Sequence, residues 1–237
     1  MLLGLSIIMR RASIAIVIGA AFLYGHALFA NNSTTANWGA QISNGVGLAD
    51  GTPLANGSND LILLGSFDIS NATITANGSN ESYLMSNFTT FASAVIGQGN
   101  PGGPGSASDG YWTGVSTNSS STLGIQNKEI YYWVFNAPTA GAASQYGIYT
   151  APANASWVFP DDTNTAQIDT TDLSQVPHDS SGILWGSYGT GLSRDGSSPL
   201  YNLASVSSVP EPGTWVGTLL ASVAVGFQAI RRRLVRR

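Results

Sequence analysis

His178, in Val176-Pro177-His178-Asp179, and the carboxylates Asp161, Asp162, Asp169 and Asp172 are the residues whose chemistry could reach a substrate or a metal. His178 is the only imidazole left once a leader carrying His26 is removed. A catalytic histidine needs a nucleophile to serve, and no Gly-x-Ser-x-Gly elbow supplies one. Two carboxylates can cleave a glycosidic bond when they flank it. The four aspartates qualify by type, but nothing around them selects a pair. Zinc needs more ligands than one His and no Cys, and disulfides are excluded outright. The glycine-rich stretch 99–105 holds prolines and no Lys, which is not a phosphate cradle. Calcium takes six to eight oxygens and tolerates loops, so Asp161, Asp162, Asn164 and Asp169 are candidate ligands. The EF-hand spacing is absent, because Ala166 and Gln167 stand where ligands and Gly belong. The competing reading is an exposed Asp/Thr loop with Asx-turns. No cofactor is expected beyond calcium at these residues.

Two other residue types bear on binding. Tyr111, Trp112, Trp185 and Tyr188 could stack on sugar rings if exposed, or pack in the core if not. Nine Asn-x-Ser/Thr triplets start at Asn31, Asn32, Asn56, Asn71, Asn77, Asn80, Asn87, Asn118 and Asn154. In a chain this rich in Asn, Ser and Thr they follow mostly from composition rather than from glycosylation. Charge excludes one partner class. Segment 31–209 holds twelve acids against Lys128 and Arg194, a net charge of −10. Such a body cannot hold a nucleic-acid backbone, which needs clustered Lys and Arg.

The elements that must position these residues read mainly as strands. Lys, Glu and Arg are scarce, which disfavours helices. Leu61–Phe67, Glu129–Phe135, Tyr146–Thr150, Ser156–Phe159 and Ile183–Gly186 are aromatic, branched or apolar runs bounded by turn residues. Trp38, Ile42, Val46 and Leu48 add one or two short strands. Their spacing predicts a mainly β fold: an antiparallel, sandwich-like single domain. One helix is expected near 80–96, where Leu84, Phe88, Phe91 and Val95 recur at helical spacing. Asn100-Pro101-Gly102-Gly103-Pro104-Gly105 must be a loop. The Ser/Gly-rich stretch 191–208 reads as linker, closing a β-rich domain over 31–190.

Both ends carry export signatures. Arg10 and Arg11 precede an apolar run from Ala12 to Phe29, the pattern of a secretory leader over 1–30, as a signal helix. Cleavage by signal peptidase after Ala27 satisfies the small-x-small rule through Gly25-His26-Ala27, cleavage after Ala30 would place the less suitable Leu28 at −3, and Met9 is an alternative start. At the other end, Pro210-Glu211-Pro212 leads into an uncharged segment, 214–230, closed by Arg231, Arg232, Arg233, Arg236 and Arg237. About 17 helical residues span roughly 25 Å, the short end for a bilayer. The following arginines favour the cytoplasmic side, so a C-terminal transmembrane helix would leave the body outside. Trp215 and Arg231 to Arg233 are the expected membrane anchors.

This tail resembles the PEP-CTERM sorting signal of Gram-negative bacteria: Pro210, Glu211 and Pro212 match the triplet, and the Arg cluster closes the chain over 209–237. The stretch 130–160, with Trp133-Val134-Phe135-Asn136-Ala137, Tyr146-Gly147-Ile148-Tyr149 and Trp157-Val158-Phe159-Pro160, resembles extracellular PEP-CTERM proteins and implies no activity. The tail resemblance implies an exosortase-type membrane protease as partner, cutting near Pro210–Pro212, and association with extracellular polysaccharide. The expectation is an exported, non-enzymatic surface or matrix protein. A carbohydrate-binding module would instead show a row of exposed Trp and Tyr. A secreted hydrolase would show a cleft with two facing carboxylates.

Overall fold

The computed structural model describes residues 33–40, 44–99, 109–162, 166–193, 196 and 198–206. The expected leader 1–30, the expected loop at 100–105 and the expected sorting tail 209–237 lie outside them, as does Ile42. The chain is mainly β, as its composition predicts. In order it forms β1 (Thr34–Ala40), β2 (Val46–Gly47), β3 (Leu61–Phe67), α1 (Asn71–Ala76), α2 (Glu81–Ser86), β4 (Phe88–Val95), β5 (Trp112–Asn118) and α3 (Ser120–Leu123). Then come β6 (Tyr131–Phe135), β7 (Gln145–Thr150), β8 (Ala166–Asp172), β9 (Ile183–Trp185), β10 (Ser187–Leu192), β11 (Pro199–Asn202) and β12 (Ala204–Ser205).

The largest sheet runs β12-β7-β6-β3-β4, with β9 also on β7. β6, the aromatic run Tyr-Tyr-Trp-Val-Phe, is buried along its whole length. A strand buried on both faces must be hydrophobic throughout, and this one is aromatic or branched at every position, with the phenol hydroxyls of Tyr131 and Tyr132 paired inside. Its alternate side chains feed two cores. Tyr132 and Val134 join Trp38, Trp112, Trp157 and Ile168, uniting this sheet with a second one, β5-β1-β8. Tyr131, Trp133 and Phe135 face the other way, with Phe67, Tyr146, Ile74 of α1 and Leu84 of α2. The Tyr132 hydroxyl locks the first interface: it donates to the Thr171 carbonyl at 2.6 Å and accepts from the Gly39 N–H at 3.2 Å. In the second core, Gly78 lets Trp185 lie on the backbone, since a Cβ there would fall 1.9 Å from the indole.

Four expectations are corrected. The helix near 80–96 ends at Ser86, and Phe88–Val95 is a strand paired with β3. Asn87 stops the helix: its Nδ2 donates to the Tyr83 carbonyl at 2.8 Å. Thr89 and Thr90, β-branched between aromatic residues, then favour extended backbone. Leu84 and Phe91 are buried and Phe88 half-buried, but Leu84 and Phe88 lie in one core and Phe91 in the other. One helix face could not divide them so. Second, pairing is not all antiparallel: β1 with β8 and β11 with β2 are parallel. Third, 156–159 forms no strand; a bridge joins Glu129 to Val158, and Trp157 and Phe159 insert into the core. Fourth, the described part of 191–208 is no linker. β11 and β12 fall inside it, and Leu200, Tyr201 and Leu203 are buried.

Candidate functional site

Two places on the described surface gather groups with chemical potential. The first lies where α1 meets the start of β6. Ser70 caps α1 by accepting the Thr73 N–H at 3.2 Å, which sets Asn71 at the first helical position. Asn71 and Tyr131 then converge on half-buried Glu129. Glu129 Oε1 accepts from the Thr150 hydroxyl at 2.5 Å. The Tyr131 hydroxyl lies between Asn71 Oδ1, at 2.7 Å, and Glu129 Oε2, at 3.1 Å. The Asn71 amide is 3.4 Å from both carboxylate oxygens. Burial, then the Glu129 charge and its hydrogen bond, push the Tyr131 phenol far above its usual range. Next in the chain, Lys128 pairs with Asp68. The carboxylate is met by hydroxyl and amide groups of the protein itself, so it clasps α1 to the sheet, and its partners are structural.

The second place is aromatic. Tyr188 on β10 stands opposite Tyr201 on β11, with ring centroids 5.0 Å apart. Buried Tyr201 donates to the Val176 carbonyl at 2.7 Å, fixing the chain that leads to His178. The His178 ring then lies flat on Tyr188, 3.6 Å between centroids and 8° between planes. His178 is exposed and Tyr188 half-buried, so the pair shows a flat aromatic surface to solvent. Beside it, Asp179 is held below the ordinary carboxylate range by the hydroxyl and N–H of Ser181. His178 therefore sits in a surface loop, as the sequence suggests, but ten residues separate it from Tyr188, and no local pattern announces their stacking.

The other candidates fare differently. Tyr111 and Trp112 are core residues, and Trp185 is half-buried over Gly78, so no row of exposed Trp and Tyr forms among the described residues. Asp161 is exposed and accepts from Gln126 at 2.9 Å, whereas Asp162 is buried and accepts the Ser121 N–H of α3 at 3.2 Å. Burial raises the Asp162 carboxyl, but the hydroxyls of Ser121 and Ser119 and the N–H groups of Ser121 and Ser120 outweigh it, and it lies below its ordinary range. These two expected calcium ligands thus serve separate partners. Asp169 lies on β8, and Asn164 lies outside the described residues. Among the described residues no three His, Asp or Glu side chains converge as a metal site. Pro210, Glu211, Pro212, Trp215, Arg231, Arg232 and Arg233 also lie outside the described residues. Among those residues no helix is long and apolar enough to cross a membrane.

The asparagines show a role that the triplets concealed. Asn77, Asn87 and Asn118 donate their amides to the carbonyls of Thr73, Tyr83 and Phe91, at 2.9, 2.8 and 3.0 Å. Asn80 and Asn154 accept the N–H groups of Tyr83 and Ser156, at 3.2 and 3.0 Å. Asn77, Asn80 and Asn87 cap helices, Asn154 ties a turn, and Asn118 links β5 to β4. Compared with protein-family models, curated proteins and solved structures, the chain matches none.

Proposed function

We propose that this chain is an exported bacterial surface or matrix protein without enzymatic activity, sorted and cleaved through 209–237. The observation that carries the reading is the fixed order at the tail: Pro210-Glu211-Pro212, an uncharged segment of bilayer length, then an arginine cluster. Signal peptidase would remove the leader, and an exosortase-type protease would cut near Pro210–Pro212. The sandwich-like body would then stay in the extracellular polysaccharide matrix. Its chemistry fits a structural role: half-buried Glu129, which collects polar partners, is occupied by Thr150, Tyr131 and Asn71. The calcium expectation draws no support from Asp161 and Asp162, and the function does not include it. Mass spectrometry of protein released from cells tests the sorting. A C-terminus near residue 210 is expected. Mature, matrix-located protein that retains Arg237 would overturn the reading. Alanines in place of Pro210, Glu211 and Pro212 should leave the protein in the membrane fraction.

A second reading, carbohydrate binding, is favoured by the exposed His178–Tyr188 stack, a flat surface of the kind on which sugar rings settle. Glycan-array binding by the full-length protein, lost in Tyr188→Ala, would establish it.

A further inference from the structure

The body has two distinct ends, and the chain uses them differently. Val206, the last described residue, donates its N–H to the Ser144 carbonyl at 2.9 Å, and β12 pairs Ser205 with Gln145. The chain therefore leaves beside the turn 137–144, which follows β6. Thr34, where β1 begins, lies at the other end. Its hydroxyl meets Ser120 at 3.1 Å, and Ser120 donates to the Pro160 carbonyl at 2.8 Å. Phe159, just before, donates to the Lys128 carbonyl, which precedes β6. Between residues 128 and 136 an extended chain covers about 26 Å.

We propose that the turn 137–144 is the face that meets a lipid surface while the tail holds the protein in the membrane. The inference rests on the membrane reading of 214–230 and adds the orientation of the body. Seven residues, 207–213, join Val206 to that segment, and fully extended they reach about 25 Å. Bringing the opposite end to the bilayer would consume all of that length. The turn 137–144, Ala-Pro-Thr-Ala-Gly-Ala-Ala-Ser, has no ionisable group, and Pro138, Thr139, Gly141 and Ala142 are exposed, so no charge within the turn has to be desolvated at the headgroups. Acidic side chains stand at both ends of the body, Asp50 and buried Asp60 near this turn and Asp68 and Glu129 at the other, so tether length rather than charge sets the orientation. The far end is thereby the one presented outward.

The chain has no cysteine, so single labels are clean. Ala142→Cys and Thr122→Cys in the chain lacking residues 1–30, both at exposed positions, would carry a fluorophore after reconstitution into vesicles of phosphatidylcholine and phosphatidylglycerol doped with headgroup-quencher lipid. Flotation of the chain lacking residues 1–30 tests the tail by itself, and protein that stays at the bottom of the gradient overturns both readings. With flotation intact, quenching several-fold stronger at residue 142 than at 122 is expected. Equal quenching, reversed quenching, or none at either position would overturn the orientation and leave the anchor standing. A flexible insert of about 20 Gly/Ser residues after Ser208 should abolish the difference, because the added reach lets the body turn over. A difference that survives the insert would also overturn the account, since tether length would not be its cause.

Discussion

At the scale of single residues, burial decides what each polar group does. Tyr132 is fully buried, and its hydroxyl ties β1 and β8 to the central sheet through Gly39 and Thr171. Tyr132→Phe keeps the ring and strands both partners, which should cost about 1–3 kcal/mol in denaturant unfolding. The Glu129 clasp makes a contrasting prediction. Tyr131→Phe removes a hydroxyl bridging Asn71 and Glu129, and should loosen α1, seen as faster amide exchange over 71–76 with global stability nearly unchanged. Asn71 and Asn87 stand in triplets that suggest modification, yet each holds backbone or a neighbouring side chain. A triplet shows residue type and spacing, whereas the partner that occupies the amide comes from residues brought near by folding.

At the scale of elements, the stretch 80–96 separates what periodicity can and cannot settle. Leu84, Phe88 and Phe91 fit one helix face, and they also fit a helix followed by a strand that crosses a bulge. Pairing with β3 chose the second, because β3 offers a full ladder of backbone partners and Phe67 packs on Phe88 with ring centroids 4.7 Å apart. Phe91→Ala, in the core shared by the two sheets, should cost about 3–5 kcal/mol. Phe88→Ala, half-buried in the other core, should cost less, about 1–3 kcal/mol, and urea titration of the two variants checks the order. The segment 191–208 gives a similar lesson. Its Ser and Gly content reads as linker, but Leu200, Tyr201 and Leu203 are buried. A chain stopped after residue 198 loses β11 and β12 and should lose its cooperative thermal transition.

At the scale of the whole molecule, the stored aromatics govern the response to pH. Burial pushes the phenols of Tyr131, Tyr132, Tyr146, Tyr149 and Tyr201 well above their ordinary range. A raised phenol stays protonated in the folded state, while the unfolded chain ionises near pH 10. The stability it contributes is fully present below that pH and is lost as pH rises toward the folded value. Each such tyrosine gives a slope of about 1.4 kcal/mol per pH unit, so unfolding followed by tyrosine absorbance should set in abruptly above about pH 10. Tyr149→Phe should flatten that dependence, because one titrating group is removed.

Residue types alone determined the mainly β character, the acidic body, the loss of thiol chemistry and the strands β3, β6, β7 and β9. These follow from local preference and composition, which act within a few residues. Tertiary structure alone decided the rest. Parallel pairing of β1 with β8 joins Thr34 to Ala166, and no local signal spans that distance. Burial of Tyr111 and Trp112, and exposure of the His178–Tyr188 stack, depend on which sheet faces are covered. Asp161 and Asp162 are neighbours in the chain, yet they serve Gln126 and Ser121 separately. Contacts between distant segments are chosen by how all the apolar faces can be buried at once, a condition on the whole chain that no short stretch of it can express.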